Sequence, residues 1–146
     1  GFLLGTSSLK YRERALNIQV NFDNGSNAIW NSARTTQWTY TPASQRISFT
    51  AIGDTTLNGF STVDSWGTNR FGKNFTTYYN TPWQSNSYCG FWRPVNGEFI
   101  HNVNGGDFRF NLGVDKNGNP STLDCAYGFK VTWSKDGKTA SVVLSY

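Results

Sequence analysis

Three observations predict an all-β fold, a single antiparallel β-sandwich of about eight to ten short strands carrying one disulfide. Runs of alternating apolar and polar residues recur along the chain. Turn dipeptides built on Gly, Asn and Asp separate them. No segment sustains the 3.6-residue apolar period of a helix. The 146 residues make one ordinary domain, 1–146, with 1–14 read as an extended N-terminal arm.

The elements follow in order. "LNIQVNF" sets Leu16, Ile18, Val20 and Phe22 against Asn17, Gln19 and Asn21, the period-2 pattern of a strand with one wet face. Asn24-Gly25 supplies a turn, and "TQWTYT" carries Trp38 and Tyr40 into a second strand. "RISFTAI" repeats the alternation with Ile47, Phe49 and Ala51, and Pro42, Gly53 and Gly59 punctuate this region against helix. "GEFIHNV" and "DFRFNLGV" flank "NGG" as a hairpin. The closing hairpin joins "YGFKVTW" to "TASVVLSY" through Asp136-Gly137, a pair suited to positive φ. In it Tyr127, Phe129, Val131 and Trp133 are expected to point inward, with Lys130 and Thr132 in water.

Composition narrows the function. Only 15% of residues are charged, 16% are aromatic and none is Met, a balance common in exported all-β proteins. No stretch approaches the ~20 apolar residues of a membrane span, so contact with a membrane is at most peripheral. "GFLLGTSSLKYRER" lacks a basic start and a cleavage site and reads as the beginning of a mature or trimmed chain. The net charge of +4 is scattered, and its one cluster, "KYRER", is broken by Glu13. A nucleic-acid binder gathers its cations into a stripe, so nucleic acid is not the expected partner. Two cysteines in an exported chain most simply pair, Cys89 with Cys125, which stabilises the fold by ~3 to 4 kcal/mol on the chain-entropy model.

Chemistry is sparse. The single histidine, His101, alternates with Phe99 and Val103, the setting of a packed or hydrogen-bonded side chain. One His and a bonded Cys pair do not make a zinc set, and no Gly-x-Ser-x-Gly elbow is present. Glu98 and Asp107, on opposite arms of a hairpin, are expected to come near one another; edge-strand charges explain them more simply than a glycosidase pair. Asp115, Asn117 and Asn119 resemble the opening of a calcium loop, but the glycine stands fourth and no glutamate stands twelfth, so a turn at Asn117-Gly118 suffices. No metal or cofactor is expected.

The richest stretch is "YYNTPWQSNSYCGFW", Tyr78 to Trp92, with six aromatic rings and no charge. Some rings belong to the core or cover the disulfide. Pro82 and the neighbouring Asn, Thr and Ser make Asn80 to Ser87 read as a loop, where binding residues concentrate. Tyr and Trp join a flat apolar face to a polar handle, which suits sugars, headgroup boundaries and protein interfaces alike. The candidate site is therefore an aromatic loop of Tyr78, Trp83, Ser85, Tyr88 and Trp92.

Two resemblances bear on function. "RTTQW", "GTNRFGKNFTT", Cys89, "RPVNG", "FNLGVDKNGNP" and "CAYGFKVTW" resemble the C-terminal β-domain of secreted or cell-surface lipoproteins from Bacteroides- and Flavobacterium-type bacteria, over about Arg34 to Trp133. That resemblance implies a binding or structural module without enzymatic activity, although no lipoprotein cysteine stands at the start. "RALNIQVNFDNGS", "FTTYYNTPWQSNSY" and the closing hairpin are similar to strands of actinoporin-like cytolysins and fungal fruit-body lectins. This second one implies a headgroup or sugar site near Thr76, Tyr78, Trp83, Ser85 and Tyr88. The N-terminal pore helix of that family is missing, and Gln84 and Ser87 replace its rings. The expected function is a non-enzymatic, secreted or cell-surface module that binds a partner protein or a glycan. A weak glycan hydrolase, or a structural subunit whose aromatic run is buried against another chain, are the alternatives.

Overall fold

The computed structural model of the chain describes residues 5–146; Gly1–Leu4, part of the expected N-terminal arm, lie outside the described residues. Ten strands and no helix make up the secondary structure described: β1 (Ser7–Asn21), β2 (Asn27–Thr41), β3 (Arg46–Gly53), β4 (Thr55–Leu57), β5 (Phe60–Thr68), β6 (Asn74–Asn86), β7 (Asn96–Val103), β8 (Gly106–Val114), β9 (Gly128–Lys135) and β10 (Lys138–Ser145). The all-β antiparallel class and the Cys89–Cys125 disulfide are both present, the latter with Cα atoms 5.4 Å apart. β1 and β2 are not short. Each runs 15 residues, and neither contains the Gly or Pro that would break it.

All ten strands hydrogen-bond into one sheet. β2 pairs along one edge with β1 and along the other first with β5, through Ile29 to Ser32, and then with β3, through Arg34 to Thr41. β6 faces the same two strands from the far side, β5 opposite Asn74 to Tyr78 and β3 opposite Trp83 to Asn86. β5 and β3 thus lie end to end in one lane between two long strands. Gly53 makes the junction: a Cβ there would stand 2.0 Å from the Thr62 carbonyl oxygen, so no larger residue lets the two strand ends meet. β7 to β10 continue as a meander. Its turns are those expected from sequence, with positive φ at Asn104-Gly105 and Asp136-Gly137.

Register sorts side chains onto two faces, because directly paired residues point the same way. Leu9, Trp38 and Phe49 align across β1, β2 and β3, and Tyr79, Phe99, Phe110 and Val131 align across β6 to β9. A bulge at Leu16–Asn17, where Asn17 has φ 56°, shifts β1 by one position. The Asn31 side chain accepts the Asn17 amide proton at 2.9 Å and donates to the Trp66 carbonyl at 3.2 Å, so the bulge leaves no orphan there. The shift keeps the face apolar: Leu9, Tyr11 and Ala15 precede it, Ile18 and Val20 follow it. The opposite face carries Lys10, Arg12, Arg14, Glu98, Asp107, Arg109 and Lys130. Among the described strand residues, charge on the aromatic face is confined to Glu13, Arg34 with its partner Asp64, and Lys135 and Lys138 beside the last turn.

Full burial is confined to a thin middle. Ala33 and Val63 are wholly enclosed, and Ile100, Leu112 and Val114 nearly so. Phe129, Val131 and Trp133 lie on the aromatic face as expected, but only half-buried, and Tyr127 is exposed with Lys116 over its ring. Lys130 and Thr132, expected in water, are half-buried too, so burial does not separate the two faces of β9 as the alternation predicts.

Candidate functional site

The stretch expected to be a loop from Asn80 to Ser87 is strand as far as Asn86. Pro82 fits because the β5 pairing ends at Tyr78 and the β3 pairing starts at Trp83, and because the β7 register shifts between Thr81 and Gln84. No ladder bond is asked of it. The true loop is Ser87–Val95. It is tied down by Ser87, whose amide donates to the Ile47 carbonyl at 2.8 Å, by the disulfide at Cys89, by the nearly enclosed Pro94, and by the Val95 amide bonded to the Gln84 carbonyl at 2.8 Å.

The five residues of the expected aromatic loop therefore separate. Tyr78 lies on the polar face, half-buried, its ring stacked on Phe60 at 4.4 Å. Trp83 and Ser85 stand on β6 on the aromatic face, Ser85 only 2% exposed. Tyr88 and Trp92 belong to the loop and are 62% and 77% exposed, with the Arg46 guanidinium 4.2 Å from the Tyr88 ring centroid. Trp83 alone of the five lines a cavity on the aromatic face.

That cavity, about 270 Å³, is walled by Trp38, Phe49, Trp83 and Phe91, with Arg34 and Tyr79 among its lining residues. Phe91 reaches it from the disulfide loop and meets Trp38 edge-on at 5.1 Å, while Trp38 and Phe49 lie 4.7 Å apart. Arg34 donates through Nε and Nη2 to both oxygens of the buried Asp64, at 2.7 and 2.9 Å. This bidentate pair fixes the orientation of the guanidinium and takes up one Nε and one Nη2 proton. Burial pushes the Tyr79 hydroxyl up to about 12, so it stays a neutral donor. Among the described residues three buried polar side-chain atoms lack a partner: Thr36 Oγ1, Trp83 Nε1 and Ser85 Oγ. All three sit on the aromatic face in adjacent rows, Thr36–Ala51–Trp83 and Trp38–Phe49–Ser85. Orphaned groups of this kind cost ~1 to 3 kcal/mol each and draw attention to the patch that tolerates them.

The chain matches no family model, no curated protein and no solved structure.

The other sequence candidates are held in structural roles. Glu98 accepts hydrogen bonds from Asn80, Arg109 and Asn111 beside a polar groove of about 680 Å³. Asp107 accepts from Asn102 at 2.6 Å. The two acids are not near one another: their register positions are four residues apart, about 13 Å along the strand. Paired glycosidase carboxyls lie within about 5 to 9.5 Å. Asp115 Oδ1 accepts the amide protons of Asn117 and Asn119, which makes the turn at Gly118, and no metal-binding cluster occurs among the described residues. His101 Nδ1 lies 2.8 Å from Thr77 Oγ1.

Sequence reasoning missed Arg34, Trp38, Phe49, Tyr79 and Phe91 as pocket residues. Trp38 and Phe49 were visible as apolar positions of two alternating strands, and their pairing followed only from register. Arg34 and Asp64 stand 30 residues apart, and no local pattern links them.

Proposed function

We propose that this chain is a non-enzymatic binding module, exported to the cell surface or beyond, whose protein partner docks on the aromatic face of the sheet. The observation that carries this reading is the sorting of the two faces. Leu9, Trp30, Tyr40, Ile47, Phe108 and Leu144 lie on the nearly uncharged face and are each more than a third exposed. Exposed apolar side chains gathered on one face in this way mark interaction sites. The disulfide fits an oxidising compartment. Among the described residues no helix is long and apolar enough to cross a membrane.

A photo-cross-linking amino acid at Tyr40, on the aromatic face, should trap a protein in the source organism, and the same probe at Gln37, on the polar face of the same strand, should not. Equal trapping at both positions, or none at either, overturns the reading.

A second reading has its own observation. Ring walls around a cavity, with the Arg34 guanidinium and a neutral Tyr79 hydroxyl among its lining, suit one sugar residue: rings stack on its C–H face while donors meet its oxygens. On a glycan array Trp83→Ala should lose a signal that the wild type shows, weakening binding by ~1 to 3 kcal/mol. A silent wild-type array ends this reading.

A further inference from the structure

We infer that the occupant of the aromatic face is a second copy of this chain, docked sheet to sheet about a two-fold axis. This rests on the reading that the aromatic face is the docking face, and it names the partner.

Surface area favours a second copy. One chain of 16.3 kDa exposes 9424 Å². A compact monomer of that mass exposes about 7,500 Å². The excess, about a quarter, is larger than the roughly 800 Å² that each partner contributes to a stable interface of standard size. Part of it comes from loop side chains such as Phe71, Trp92 and Leu123, and part from the outer lanes of the one face, Leu9, Tyr40 and Ile47 on β1 to β3 and Phe108, Val142 and Leu144 on β8 to β10. Burying the latter against their own equivalents needs no new surface chemistry, and an isologous contact closes after two copies.

Charge favours the same occupant. The chain carries +4, and its strand cations Lys10, Arg12, Arg14, Arg109 and Lys130 all lie on the opposite face. Two copies meeting by their aromatic faces therefore keep these like charges apart. An acidic partner would find its complement on the polar face instead. Arg34 is already neutralised by Asp64, which leaves Glu13 and the Lys135–Lys138 turn as charges to be accommodated at the margins. An uncharged face is best met by another uncharged face, and each copy brings one.

Sedimentation of the full chain over a dilution series tests this. The expected mass at the concentrated end is twice 16.3 kDa, falling toward a single chain on dilution. Tyr40→Glu and Val142→Glu, both exposed on the aromatic face, should each give a single-chain mass with an unchanged far-UV circular dichroism spectrum. Ser141→Glu, exposed on the polar face of β10, should keep the doubled mass. A single-chain mass for the wild type throughout overturns the inference. So does a doubled mass that both aromatic-face variants retain, since that points to pairing through the free edges of β1 or β10. The wild-type measurement decides even if a variant fails to fold. A single-chain wild type whose Tyr40 probe still traps another protein removes the second copy alone; with no trapping either, the docking face falls too.

Discussion

His101 shows how much one residue's surroundings decide. Its ring packs beside Phe75, centroids 5.5 Å apart, with Nδ1 against the Thr77 hydroxyl, and burial lowers its pKa below the ordinary 6.5. The unfolded chain takes up a proton near that ordinary value while the folded chain stays neutral to lower pH. The unfolded state therefore binds more protons in the window below 6.5, and stability falls as pH drops through it until the folded value is passed. The melting temperature should decline more between pH 7 and pH 5 in the wild type than in His101→Gln; parallel profiles would remove this assignment. That His101 is packed was legible in its alternation with Phe99 and Val103. The Arg34–Asp64 pair was not, because a long-range contact leaves no trace in local spacing.

Turn chemistry at Asn24-Gly25, Asn104-Gly105 and Asp136-Gly137 placed three hairpins correctly, since positive φ is a local demand that Gly and Asn meet. Pro82 misled, because a missing amide proton breaks a strand only where a neighbour needs it. Gly113 carries an element-scale prediction. It is the bulge between Leu112 and Val114 on β8, at φ 75°, and a Cβ there would stand 2.1 Å from the Val95 carbonyl oxygen. Gly113→Ala combines left-handed strain with a backbone overlap, so urea unfolding should show a loss of at least ~2 kcal/mol. A loss under ~0.5 kcal/mol would mean that the bulge relaxes freely.

Over the whole molecule the disulfide does two jobs. Cys89 and Cys125 are 36 residues apart, and closing a loop of that length contributes about 4 kcal/mol by restricting the unfolded chain. The same bond holds the Ser87–Val95 loop that carries Phe91 onto Trp38. The double variant Cys89→Ala/Cys125→Ala should lose roughly 3 to 4 kcal/mol in chemical denaturation, with altered near-UV aromatic dichroism as Phe91 loosens. Unchanged stability would show that native-state strain offsets the entropic gain. A sheet this open has few enclosed residues to absorb such a loss, which makes the covalent tie a large part of what holds the loop.

Taken alone, the sequence determined the all-β class, most of the strands, the hairpin turns and the cysteine pair. Each of these rests on nearest-neighbour chemistry or on a count: alternation, positive φ, an even number of thiols in an exported-looking chain. Only the tertiary structure decided that β3 and β5 share one lane, that Tyr78 parts from Trp83 across the sheet, and that four rings from four separate segments wall the aromatic pocket. The physical reason is register. A strand's own pattern says which residues share a face, but which face of which neighbour they meet depends on pairings between residues far apart in the chain.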